Sequence, residues 1–90
     1  MNETGTNSGT SRMLTSYSRE VAGTTIWYTL GEEMTNCEKR YCLSVSNKYE
    51  ACQCDVGCDL IRAVYLLKAV VDGEIFPYSL NEIVEDFLKM

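Results

Sequence analysis

The hydrophobic period of this chain changes once, at Asp55, and that change sets the class of fold open to it. Before it, apolar residues recur at every second position, as in Tyr41, Leu43 and Val45 against Cys42, Ser44 and Ser46. A period of two sends alternate side chains to opposite faces of a strand, so that one face can be buried. After it, Leu60, Ile61, Ala63, Val64, Leu66, Leu67, Val70 and Val71 follow the period of a helix. Strands first and helices afterwards predict an α+β domain: an antiparallel sheet of three to four strands, then two C-terminal helices packed on one face.

Residues 1–12 are mostly Thr, Ser, Asn and Gly with almost nothing to bury, and they predict a disordered polar tail ahead of a single domain over 13–90. Tyr17, Arg19 and Val21 alternate with Ser18 and Glu20 up to a break at Ala22-Gly23. Residues 24–30 are a stronger strand, rich in β-branched and aromatic types, with Ile26, Tyr28 and Leu30 inward and Trp27 outward. The polar stretch 31–39 reads as a loop and 40–46 as a strand. Asn47-Lys48 supplies a turn, and 49–55 return as its partner strand. The order favours a meander.

The first helix is apolar over so wide an arc that it needs cover on two sides, from the sheet and from the second helix. Asp55 or Gly57 is placed to cap its start, and Gly73 to end it in a left-handed conformation. The second helix is announced by Pro77 and by a capping box, Ser79 with Glu82, while Tyr78 and Ile83 suit a hydrophobic staple. The predicted core is Ile26, Tyr28, Leu30, Tyr41, Leu43, Val45, Cys52, Cys54, Leu60, Val64, Leu67, Val71, Leu80, Ile83, Val84, Phe87 and Leu88.

Composition excludes several functions. Ninety residues make one domain with a thin core, too small for a deep substrate cavity. The net charge of −5 and the scattering of eight basic residues argue against nucleic acid or anionic lipid as partners. No apolar run reaches the ~20 residues of a membrane-spanning helix, and the first residues lack the basic and apolar regions of a secretory signal, so the cytoplasm is the expected location.

Histidine is absent, and with it every Ser-His or Cys-His arrangement. Glu32-Glu33 and Glu85-Asp86 are adjacent in sequence and do not face one another. No glycine-rich phosphate loop occurs. No catalytic residue is therefore assigned, and no enzyme activity or cofactor is expected. The sequence holds five cysteines, Cys37, Cys42, Cys52, Cys54 and Cys58. Their spacing is C-x4-C and then C-x-C-x3-C, without the paired knuckles of a structural zinc site. Cys58 lies near a helix start, which favours a thiolate, but Asp55 and Asp59 oppose one. Small apolar core residues are the simpler reading for Cys52 and Cys54. Trp27, outward on a sheet with one bare face, is the natural contact anchor.

The C-terminal run from Phe76 to Leu88, Phe-Pro-Tyr-Ser-Leu-Asn-Glu-Ile-Val-Glu-Asp-Phe-Leu, resembles the terminal motif of a small bacterial family of unknown function. This is the domain-of-unknown-function family numbered 6514, found chiefly in anaerobic Gram-positive bacteria. Its members also have a Tyr-rich strand like residues 26–30 and a tyrosine-led strand like 41–45. Ser79 stands where histidine is common among them, and Cys42 where glycine is common. The resemblance covers about Tyr17 to Leu88, implies strands followed by helices, and carries no activity.

The expectation is a small cytoplasmic interaction protein without chemistry, binding a protein partner or its own copy through Trp27. The alternative is a thiolate metal site, zinc above all, or a redox switch. It would use Cys52, Cys54 and Cys58, with Cys37 or Cys42 completing the set.

Overall fold

A computed structural model defines the fold over residues 9–35 and 38–89. Alternation does what it predicts in the middle of the chain. Ile26, Tyr28 and Leu30 are buried from β2 (Thr24–Thr35), and Tyr41, Leu43 and Val45 from β3 (Glu38–Ser46). These flat apolar rows pair directly, Tyr28 opposite Val45 and Leu30 opposite Leu43. Outside them lie β1 (Gly9–Val21) and β4 (Ala51–Gly57), giving a four-stranded antiparallel meander in the order β1-β2-β3-β4. Helix α1 (Leu60–Asp72) follows, and then a 3-10 turn (Pro77–Ser79) that runs straight into α2 (Leu80–Leu88). Both helices cover the same sheet face, because Ala63, Leu66, Leu67, Val70, Leu80 and Val84 share one core with the strand residues above. The α+β prediction holds.

Turns fix the register. Ala22 and Gly23 both have positive φ, 52° and 80°, and join the paired residues Val21 and Thr24. This is the pattern of a two-residue type I′ hairpin, whose twist matches the strands it connects. Between β3 and β4 the Asn47 side-chain oxygen accepts from the amides of Tyr49 and Glu50, at 2.8 and 2.9 Å. That closes an Asx turn at the place the sequence indicates.

Several expectations need correction. The polar tail was expected to run to residue 12, but β1 begins at Gly9 and pairs Ser11 with Glu33 and Arg12 with Glu32. Residues 1–8 lie outside the described residues. Of the predicted loop over 31–39, Gly31 to Thr35 belong instead to β2 and Glu38 and Lys39 to β3, while 36 and 37 lie outside the described residues. Polar residues are tolerated there because cross-strand charges take the place of apolar contact. Glu32 accepts from Arg12 at 2.8 Å and lies 3.3 Å from Lys39.

The helix ends also differ. Asp59 caps α1, its carboxylate accepting from the amides of Ile61 and Arg62; Asp55 and Gly57 do not. At the other end Gly73 keeps a right-handed φ of −83° and Glu74 takes the left-handed position at φ 51°. The Glu74 amide donates to Val71 and the Ile75 amide to Val70, which together form a Schellman closure around a residue other than glycine. Ser79 makes no side-chain capping bond, so the capping box is not formed. The chain enters the helical path earlier: Phe76 is extended, Pro77 occupies the first helical position, and the Ser79 amide donates to the Phe76 carbonyl. Tyr78 stacks on the Phe76 ring at 5.7 Å and stays largely exposed.

Candidate interaction surfaces

The two faces of the sheet are chemically unlike, and each presents one candidate. On the bare face, cross-strand rows can be read from the register. Ser18, Trp27, Ser46 and Ala51 form one row, and Ser16, Thr29, Ser44 and Gln53 the next. Hydroxyl groups dominate, and Ser16 and Thr29 bond to each other at 3.2 Å. Trp27 rises from this polar surface 45 % exposed, as the alternation requires. Gly31 adds no side chain to the next row. A shallow depression of about 320 Å³ lies over it, bordered by Met13, Thr29, Cys42, Ser44 and Gln53.

On the covered face the second candidate arises from incomplete cover. Helix α1 lies across β2 and β3 and buries Ala63, Leu66, Leu67, Val70 and Val71. Helix α2 packs mainly on β4 and meets α1 near its own C-terminal end. There Tyr65 and Phe87 meet at 6.2 Å between ring centroids, and the Arg62 guanidinium sits 5.3 Å above the Phe87 ring. The outer side of α1 is left apolar and open. Ile61 is 80 % and Tyr65 68 % exposed, with Leu60 and Val64 also exposed beside them. Leu60 and Val64 were expected in the core, as was Leu88, which is exposed as well. The buried set of α1 is turned from the predicted one, and Ala63, Leu66 and Val70 take the inner positions. Val56, outside the predicted core, is buried too.

The cysteines do not converge among the described residues. Cys42 lies on the bare face, and the Gln53 amide reaches its Sγ at 2.9 Å. Cys52 and Cys54 lie opposite Val45 and Leu43, on the helix side, and pack at the core margin. The Cys54 thiol donates to Asn81 Oδ1 of α2 at 2.8 Å. Cys58 is exposed in the connection to α1, its Sγ 3.9 Å from Glu38 Oε2. Cys37 lies outside the described residues. Among the described residues no group of three or more His, Cys, Asp or Glu side chains is placed to hold a metal ion. Burial, and then the neighbouring Cys52, push the Cys54 thiol up to about 11. Burial pushes Cys42 up as well, against a smaller opposing effect of the Gln53 hydrogen bond. Both shifts favour the neutral thiol over the nucleophilic thiolate.

One polar contact ties the core to the chain between the helices. The Tyr28 hydroxyl donates to the Ile75 carbonyl at 3.1 Å, and burial followed by the charge of Glu74 raises its pKa. On the bare face Arg40 grips Asp55 with two nitrogens, at 2.8 and 3.1 Å, holding that carboxyl below the ordinary range. That carboxylate also accepts from the Gly57 amide, so the cluster is committed to bracing β3 against β4.

Among the described residues no helix is long and apolar enough to cross a membrane. The chain matches no protein-family model, no curated protein and no solved structure. The case for function therefore stands on these surfaces. The α1 stripe was hard to find in the sequence, because a helix apolar on nearly every side does not announce which side stays open.

Proposed function

We propose that the protein is a small, non-catalytic, cytoplasmic interaction module, and that a protein partner docks on the outer side of α1. The observation that carries this reading is the exposed apolar stripe Leu60, Ile61, Val64 and Tyr65. Single exposed apolar residues are ordinary, but contiguous ones on a regular element are the usual mark of a contact surface. The stripe has aromatic character at Tyr65 and is flanked by Arg62 and Lys68, a mix common in interface hot spots. Helix-in-groove recognition reads such a stripe as anchors at helical spacing. Trp27 stands alone among hydroxyl groups on the opposite face and serves as a secondary contact at most. The free thiols Cys42, Cys52, Cys54 and Cys58 suit a reducing compartment. The resemblance to the family numbered 6514 names no activity and adds no residue to this reading.

Affinity capture followed by direct binding of the identified partner tests the proposal. Ile61→Asp and Tyr65→Ala should each weaken binding, while the far-UV spectrum and urea midpoint stay near those of the parent. Trp27→Ala should bind like the parent. Binding that survives both α1 substitutions and fails with Trp27→Ala would move the site to the bare face.

A further inference from the structure

We infer that β1 is the self-pairing edge of a two-fold homodimer, in which two sheets join β1 to β1 as one continuous antiparallel sheet. This rests on the reading of the protein as an interaction module but uses a different surface. A strictly monomeric protein would refute the pairing and leave the α1 stripe intact.

The two sheet edges are not equivalent. β4 is seven residues long, has an irregular register beside Val56, and is flanked by α2. β1 is thirteen residues long, its register is irregular only between Met13 and Thr15 and continuous from Thr15 to Val21, and among the described residues no strand or helix pairs with its outer side. Natural edges are usually blunted by proline, by charge or by brevity. β1 has no proline, and from Met13 to Ser18 it carries no charge. The type I′ turn fixes which amides face outward. Val21 and Thr24 flank a two-residue loop and so form a hydrogen-bonded pair. Alternation along the strand then turns the amides and carbonyls of Ser16, Ser18 and Glu20 away from β2.

A second copy is the occupant because one register of this edge is complementary to itself. With Ser18 opposite Ser18 of the second copy, the outward groups of Ser16 meet those of Glu20 across the axis, and the reverse. On the helix side Tyr17 then faces Arg19 of the second copy, and on the bare side the Ser16 hydroxyl faces a Glu20 carboxylate. Each pair occurs twice, as an isologous two-fold contact demands. A cation over a tyrosine ring and a hydroxyl bonded to a carboxylate are both favourable. Tyr17 is half exposed and lines, with Arg19, Lys68, Val71 and Asp72, a groove of about 280 Å³ along this edge. Within the groove Arg19 lies 3.7 Å from Asp72 of its own chain, so the second copy's Arg19 lies over the Tyr17 ring beside that pair. The whole protein is acidic, but the overlapping segment 15–21 carries one Arg19 and one Glu20, which cancel, so the paired edge is not opposed by its local charge.

Sedimentation velocity and light scattering of the full chain across a wide concentration range read the outcome. The parent should show a reversible monomer–dimer equilibrium. Ser18→Pro removes an outward amide and spares the β1–β2 ladder, so it should fold and dimerise about tenfold more weakly or worse. Ser18→Lys and Ser18→Glu each place like charges on the axis and should weaken self-association. Mixing the two should restore a heterodimer. A parent that stays monomeric throughout would overturn the inference. So would a dimer that tolerates all three Ser18 substitutions but dissociates with Ile61→Asp, since the contact would then run through α1.

Discussion

Replacing Glu74 by glycine should stabilise the fold, and the amount follows from the turn that closes α1. Glu74 sits at φ 51°, where a Cβ crowds the backbone, and a residue other than glycine pays roughly 1–2 kcal/mol for that conformation. Glycine removes the crowding, but its freer unfolded chain takes back roughly 0.4–1 kcal/mol. A second gain is electrostatic. The carboxylate lies just beyond the C-terminal end of α1, where the helix dipole is already negative, and losing it there is worth about 0.3–1 kcal/mol. The net expectation is about 1 kcal/mol of added stability, or a rise in Tm of roughly 4–8 °C for a domain of this size. Urea melts of the parent, Glu74→Gly and Glu74→Gln separate the two sources. Glutamine recovers only the electrostatic part, and high salt should shrink its advantage. The Tyr28 hydroxyl bond to Ile75 depends on the same turn, so near-UV signals of Tyr28 should be retained. A Glu74→Gly protein less stable than the parent by 0.5 kcal/mol or more, a threshold set near the scatter of surface substitutions, would refute the left-handed assignment.

Other consequences can be checked alongside. Ser79→Ala should cost less than about 0.5 kcal/mol in urea, below the usual penalty for a helix cap, because the hydroxyl makes no capping bond; a loss above 1 kcal/mol would restore the capping box. Asp55 is held below its ordinary pKa first by Arg40, and Glu32 first by Arg12, so both contributions are present above the unfolded carboxylate range. They are lost as pH falls through the lowered folded values, so stability should decline below about pH 4, and Arg40→Gln should flatten that decline. Cys54, with its pKa near 11, should be alkylated by iodoacetamide at pH 8 far more slowly than a thiol in an unstructured peptide. Equal rates would mean that the thiol is not buried beside Cys52 in solution.

The parts legible in the sequence were those where one pattern dominated. Ile26, Tyr28 and Leu30, then Tyr41, Leu43 and Val45, alternate cleanly, and they form the buried rows of the sheet. The outward Trp27 follows from the same alternation. The pattern failed where two solutions shared it. In α1, apolar residues surround the helix, so sequence spacing alone does not separate the buried Ala63, Leu66 and Val70 from the exposed Leu60 and Val64. That choice depends on where α2 sits, which is a tertiary matter. Residues 31–39 looked like a loop because hydrophobicity is the usual strand signal, whereas Glu32 is held by Arg12 and Lys39 across neighbouring strands. At α2 two start signals competed, and the proline at the first helical position prevailed over the serine cap. Gly73 likewise yielded the left-handed position to Glu74, a preference of statistics overridden by where the helix runs out.

The proposed contact surface for another protein is the outer side of α1. Its most direct test is a photo-reactive amino acid placed at Ile61 in cells expressing the full chain, with the same group at Glu85 on the exposed side of α2 as the control. A discrete heteromeric crosslink from position 61, absent from position 85 and suppressed by Tyr65→Ala, is the predicted result. No crosslink from position 61, or equal and diffuse crosslinking from both, would contradict the claim.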